Sequence, residues 1–146
     1  MILTLAIVLF IILEAGNVMI LYFAPDSKMG NGVAVFNAWE KSKEDPDMHD
    51  FVRYMVFWVA GTKLIFISLL VVVLITGSTL TKMLSVLVLI LSIASYFWRL
   101  HPIIKLLDSR NEITPGGYSK TLGKMIAGFM MMFILSLGVF LIFYNL

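Results

Sequence analysis

The sequence holds no cysteine among its 146 residues. That absence excludes disulfides, thiolate metal sites, a cysteine nucleophile and palmitoylation. Charge is scarce as well. Asp, Glu, Lys and Arg make up 14% of the chain, against about 25% in a soluble domain. Nine acids and eleven bases leave a net charge of +2. This is too little to attract a polyanion, so nucleic acid is not expected as a partner. Motifs that carry chemistry are missing too. There is no P-loop, no G-x-S-x-G and no H-E-x-x-H, and no cofactor is expected. No nucleophile–base constellation is visible, which argues against an enzyme.

What is abundant is apolar. Hydrophobic residues make up 60% of the chain, with a mean hydropathy of +0.97. A short chain cannot hide that much apolar surface in one water-soluble core. The class that fits is a membrane protein. Met1 to Leu13 has the apolar character of a signal peptide, but it lacks a positive n-region and an A-x-A site. The run continues past Glu14 to Phe23 and reads as a retained span.

Four runs are each about 20 residues or more, the length that crosses a bilayer as helix. They are residues 2–23, 51–76, 80–100 and 119–146, the last with no charge from Leu122 onward except Lys124. Their unbroken apolarity excludes the alternation of a transmembrane β-barrel. The connections are 24–50, the tight turn 77–79, and 101–118 with Pro115-Gly116-Gly117. The expected fold is an all-α, antiparallel four-helix transmembrane bundle in one domain.

Basic residues set the expected orientation. Lys28, Lys41, Lys43, Arg53, Arg99, Lys105, Arg110, Lys120 and Lys124 flank or occupy the two long connections. Only Lys82 lies on the other side, and Lys63 lies within the second span. The positive-inside rule then puts both long connections in the cytoplasm and both termini outside, in a plasma membrane. The outer face has almost no mass, so no extracellular domain is expected. Short amphipathic helices are expected at the inner interface, around Val33, Val35, Phe36 and Trp39 and around Ile103, Ile104, Leu106 and Leu107. Tyr22, Tyr54, Trp98 and Tyr118 fall at the inner aromatic belt, and Phe143 and Tyr144 at the outer one.

Two charges stand in mid-span. Glu14 lies ~20 Å from the start of its run, and Lys63 lies ~20 Å from Thr76 at the end of its own. The depths match, so the two are expected to face each other. Unpaired, Glu14 is a candidate proton carrier; paired, both remain charged. Asn17 shares the face of Glu14. Ser92, Ser95, Tyr96 and Arg99 form a polar stripe at i, i+3, i+4, i+7. Arg53 stands at the inner end of the Lys63 stripe. Together these residues sketch a pocket between the first three spans, opening near Arg53, Arg99 and His101. Three bases against one acid give it a net charge of +2. The expected ligand is an anionic small molecule or a lipid head group, bound or transported by Glu14, Asn17, Arg53, Lys63, Tyr96 and Arg99. The structural alternative is a register-locking pair, with both arginines snorkelling to the interface.

The fourth span carries Gly123-x-x-x-Ala127, Gly128 and Gly138. Such residues serve close packing within the chain, or an interface with a second copy or a partner subunit. A non-catalytic accessory subunit is therefore the second functional expectation.

Other clusters fail as sites. Asp45-Pro-Asp-Met-His49-Asp50 matches no metal spacing, and Asp47 or Asp50 is expected to cap the second span. The segment 108–112 lacks the EF-hand pattern, and no metal is expected. In size, in four spans and in one Glu within the first, the chain resembles the small multidrug resistance exporters. The long first connection, the second charge Lys63 and the strong Lys/Arg bias depart from them, so no residue role is carried over.

Overall fold

A computed structural model describes residues 1–29 and 32–144. Among them the chain is helical, with no strand. The elements are α1 (Ile2–Phe23), a 3-10 turn (Val33–Val35), α2 (Asn37–Ser42), α3 (Pro46–Thr76), α4 (Thr79–Ser109) and α5 (Tyr118–Tyr144). Helices α1, α3, α4 and α5 are long and apolar enough to cross a membrane. Asn145 and Leu146, the end of the expected fourth span, lie outside the described residues, as does the side chain of Tyr144.

Helix α1 is the centre. It buries 33% of its apolar stretch inside the protein, against 17%, 11% and 11% in α3, α4 and α5. It packs along α3 and α5, and α4 packs along α5, whereas α3 and α4 barely touch. Leu3, Ala6, Ile7 and Phe10 of α1 meet Leu70 of α3, Val86 and Leu89 of α4, and Phe133 of α5. The Phe10 ring stands edge-on to Phe66, Phe129 and Phe133, with centroids 6.1, 5.6 and 5.2 Å away. Between apolar helices in lipid there is no hydrophobic drive to associate, so such close-packed contacts carry the cohesion.

Further along α1, Val18 and Leu21 join Val56, Ala60 and Ile67 of α3 and Trp39 of α2. A third cluster holds Val35, Ile104, Ile113 and Leu122. These last two clusters seat a cap built from the 3-10 turn, α2 and the α4–α5 link. Thr114 N donates to Val35 O at 2.8 Å, and Asn37 N donates to Glu112 O at 2.9 Å. Asn37 Nδ2 also donates to Asn111 O, and Lys41 pairs with Glu112 at 2.7 Å. Trp39 Nε1 donates to Asp26 Oδ1 at 2.7 Å, and Lys43 reaches the same oxygen at 2.8 Å.

Several boundaries differ from the sequence expectation. Helix α3 starts at Pro46, and its cap is Asp45, not Asp47 or Asp50. Asp45 accepts from Asp47 N and Met48 N. Proline suits the first helical position because its missing N–H has no partner there anyway. Helix α4 does not stop at Leu100. It runs through Pro102 to Ser109, so the expected separate helix around Ile103–Leu107 is its last turns. An interior proline removes one helical bond, but Ile104 and Leu107 pack into the third cluster and hold the helix in register. Asn111, with φ 56°, then turns the chain out of the helix.

Candidate functional site

The mid-span charges come together. Lys63 Nζ donates to Glu14 Oε2 at 2.6 Å across the α1–α3 contact. Small residues permit this approach. Ala60 is fully buried, and the missing side chain of Gly61 leaves room for the Tyr22 hydroxyl. The pair is not sealed: the Lys63 side chain is 27% exposed and that of Glu14 is 15% exposed.

Lys63 also faces a cleft. Where α3 and α4 part, Met55, Trp58, Val59, Thr62, Lys63 and Phe66 of α3 and Ser92 of α4 line an open groove of about 540 Å³, with all but Lys63 exposed. A second lobe of about 380 Å³ continues toward the α3–α4 turn, past Leu70, Leu80, Leu84 and Val88, and shares Phe66 and Ser92 with the first. The walls are mostly hydrocarbon. The Thr62 hydroxyl is spent on Trp58 O of its own helix at 2.9 Å. Lys63 is the one charged side chain in either lining, and Glu14 stands behind it.

The other expected site residues go elsewhere. Arg53 is exposed, 3.4 Å from Asp50 on its own helix, with its guanidinium over the Phe57 ring. Arg99 is exposed and stacks on Trp98, 4.6 Å from the ring centroid. Neither lines the cleft. Tyr96 turns to His101, with its hydroxyl 3.3 Å from Nδ1, and packs against the third cluster. Asn17 lies one turn beyond Glu14 on α1. Its Oδ1 is buried and is the only such side-chain atom among the described residues without a hydrogen-bond partner.

The failed motifs have structural roles. Asp45 caps α3, Asp50 meets Arg53, and His49 Nδ1 lies 2.9 Å from Ser42 Oγ. Asp108 accepts from Gly117 N and Ser119 N, tying the end of α4 to the start of α5. Gly123 is buried against His101, and an added Cβ would stand 3.0 Å from the ring; Gly128 and Gly138 face open space. Outside the spans, the Lys43 ammonium and then the Trp39 indole N–H hold the Asp26 carboxyl below the ordinary carboxylate range. Asp26 and then Glu40 hold the Lys43 ammonium above its ordinary value.

Reasoning from sequence missed Met55, Trp58, Val59, Thr62 and Phe66 as cleft residues. They flank Lys63 at helical spacing, but an apolar stripe facing a cleft reads the same as one facing lipid. Comparison of the chain with family models, curated proteins and solved structures finds no match.

Proposed function

We propose that the chain is an integral membrane protein of four antiparallel spans whose α3–α4 cleft binds an anionic amphiphile. One observation carries this reading. A single cation, Lys63, stands in the wall of an open, mostly apolar groove of about 540 Å³. That size suits one small ligand, and a few polar groups in an apolar lining are what orient one. The cleft opens sideways between two spans, so the ligand arrives through lipid and not through water. Its chain lies along Trp58, Phe66 and the second lobe, and its anionic group meets Lys63. Arg53 and Arg99 act outside the cleft, at the inner membrane surface, where they gather anionic head groups. The excess of Lys and Arg on the cap side supports a cytoplasmic cap, with both termini outside.

The test is fluorescence quenching by a bromine-labelled decanesulfonate in phosphatidylcholine vesicles. One form keeps only Trp58, with Trp39→Phe and Trp98→Phe; the other keeps only the lipid-facing Trp98. Saturable quenching of Trp58, with only non-saturable quenching of Trp98, is the expected result. Lys63→Met removes the saturable part. Equal, non-saturable quenching of both refutes the cleft as a site.

The second reading is an accessory subunit that docks a partner through α5. It is favoured by Gly128 and Gly138, where an added Cβ would meet no atom of another element within 4 Å. Gly123 is already used inside the chain. A stoichiometric partner lost on Gly128→Leu would replace the ligand-binding reading.

A further inference from the structure

The pair and the cleft leave an imbalance of charge that a ligand must resolve. Glu14 and Lys63 together are neutral. An anion added to Lys63 makes the site net negative inside hydrocarbon, where an uncompensated charge is costly. A proton taken up by Glu14 restores neutrality. An unused acceptor stands about one turn along the same helix. Asn17 Oδ1 is buried and unpartnered, and it lies three residues from Glu14 on the same helical face. An ionised carboxylate only accepts and cannot satisfy a carbonyl oxygen. A protonated carboxyl carries an O–H that can. The orphan acceptor is an expense in the empty protein and a partner in the loaded one.

We infer that anion binding in the α3–α4 cleft is coupled to uptake of one proton by Glu14, whose O–H then donates to Asn17 Oδ1. This rests on the cleft reading above. The balance is simple: the anion takes over N–H donation from Lys63, Glu14 gains one proton from water, and no covalent bond of the ligand changes. The surrounding ionisable groups leave the task to Glu14. On α1 the other is Tyr22, whose hydroxyl packs at Gly61. On α3 the nearest are Tyr54, stacked on Trp58, and Arg53, ten residues or ~15 Å along the helix and paired with Asp50, while Asp47 and His49 lie farther off in its first turn. On α4, Tyr96 and His101 contact each other and Arg99 stacks on Trp98. On α5, Tyr118, Lys120 and Lys124 lie in the first two turns.

The test is calorimetric titration of the full chain in phosphatidylcholine nanodiscs. The probe is decanesulfonate, whose charge does not titrate, and decanol is the neutral control. Buffers of different ionisation enthalpy count the protons. The expected count is one proton per sulfonate, with affinity falling about tenfold per unit rise in pH, the slope for one linked proton. Decanol binds with no proton taken up. Glu14→Gln binds the sulfonate with no proton taken up and no pH slope. Asn17→Ala weakens sulfonate binding about tenfold at neutral pH, the loss of one hydrogen bond to a buried group, and leaves decanol unchanged. Wild-type protein alone gives the proton count, so a Glu14→Gln chain that fails to insert does not remove the test. Saturable sulfonate binding with no proton taken up overturns the coupling and leaves the cleft standing. No saturable binding of either probe overturns both.

Discussion

Breaking the Glu14–Lys63 contact one side at a time is the sharpest test of how this protein is held together. At 2.6 Å and an effective dielectric of about 20, the gross attraction is about 6 kcal/mol. Each ion also loses several kcal/mol of hydration on leaving water, so the net worth of the pair is near zero. Removing one partner is different, because it strands the other charge. For a fully buried pair that costs about 3–5 kcal/mol. Here Lys63 keeps 27% of its side-chain surface and Glu14 keeps 15%, so about 3 kcal/mol is expected for Lys63→Met. Glu14→Gln should cost somewhat less, since the lysine stem is long enough to carry its charge toward the interface. The double variant should fall within about 1 kcal/mol of wild type, giving a coupling of at least about 2 kcal/mol in the cycle. Reversible unfolding in mixed micelles, followed by far-UV circular dichroism, measures all four forms. If either single variant unfolds with the wild type, or the double variant loses the sum of both, the argument from stranded charge is wrong.

Four other outcomes are expected. Phe133→Ala removes a fully buried ring that packs on Phe10 and should cost about 3–5 kcal/mol, read in the same micelle titration. Gly123→Leu drives a side chain into His101 and should cost about 1–3 kcal/mol, whereas Gly128→Leu, in open space, should stay within about 0.5 kcal/mol in the isolated chain. Lowering the pH should loosen the cap. The folded value of Asp26 is depressed, so its contribution is present above the unfolded carboxylate value and is lost as pH falls through the folded one. A form keeping only Trp39 should report this as an acid shift in fluorescence that Asp26→Asn abolishes. Asn37→Ala deletes side-chain bonds to Asn111 O and Thr114 Oγ1, so it should speed proteolysis of the α4–α5 link without moving the global transition.

The four spans were legible because about 20 apolar residues in a row have few other uses. The approach of Glu14 to Lys63 could be expected from rise per residue alone. What composition could not supply was the extent of helix beyond the hydrocarbon. An apolar run marks only the part that crosses lipid. Pro46 behind Asp45 was a readable start signal, yet Asp47 and Asp50 competed for the same role. The continuation of α4 past Pro102 was not readable, because it depends on Ile104 meeting Val35 and Leu122 from distant parts of the chain. Of the polar stripe of α4 only Ser92 lines the cleft, and the stripe is less polar than it reads for a local reason. Ser95 Oγ bonds Ser92 O, and Ser85, Ser68 and Thr76 likewise bond carbonyls of their own helices. A hydroxyl satisfied this way presents little polarity to a neighbour. Arg53 and Arg99 carry stems long enough to reach outward, and spacing alone does not say which way they turn.

The seam between α3 and α4 is fastened at both ends. At one end only Gly77 and Ser78 separate the two helices. At the other, the cap touches α3 through Trp39 on His49 and touches α4 through Val35 on Ile104. A slit fixed at both ends cannot swing open like a door. It widens only by bowing in the middle, and the middle is where Lys63, Phe66 and Ser92 stand. On the proposed binding reading, the time a ligand stays inside is set by the bending stiffness of two helices and by the grip of the cap. Loosening a fastening far from the cleft should shorten that stay while leaving every wall residue in place.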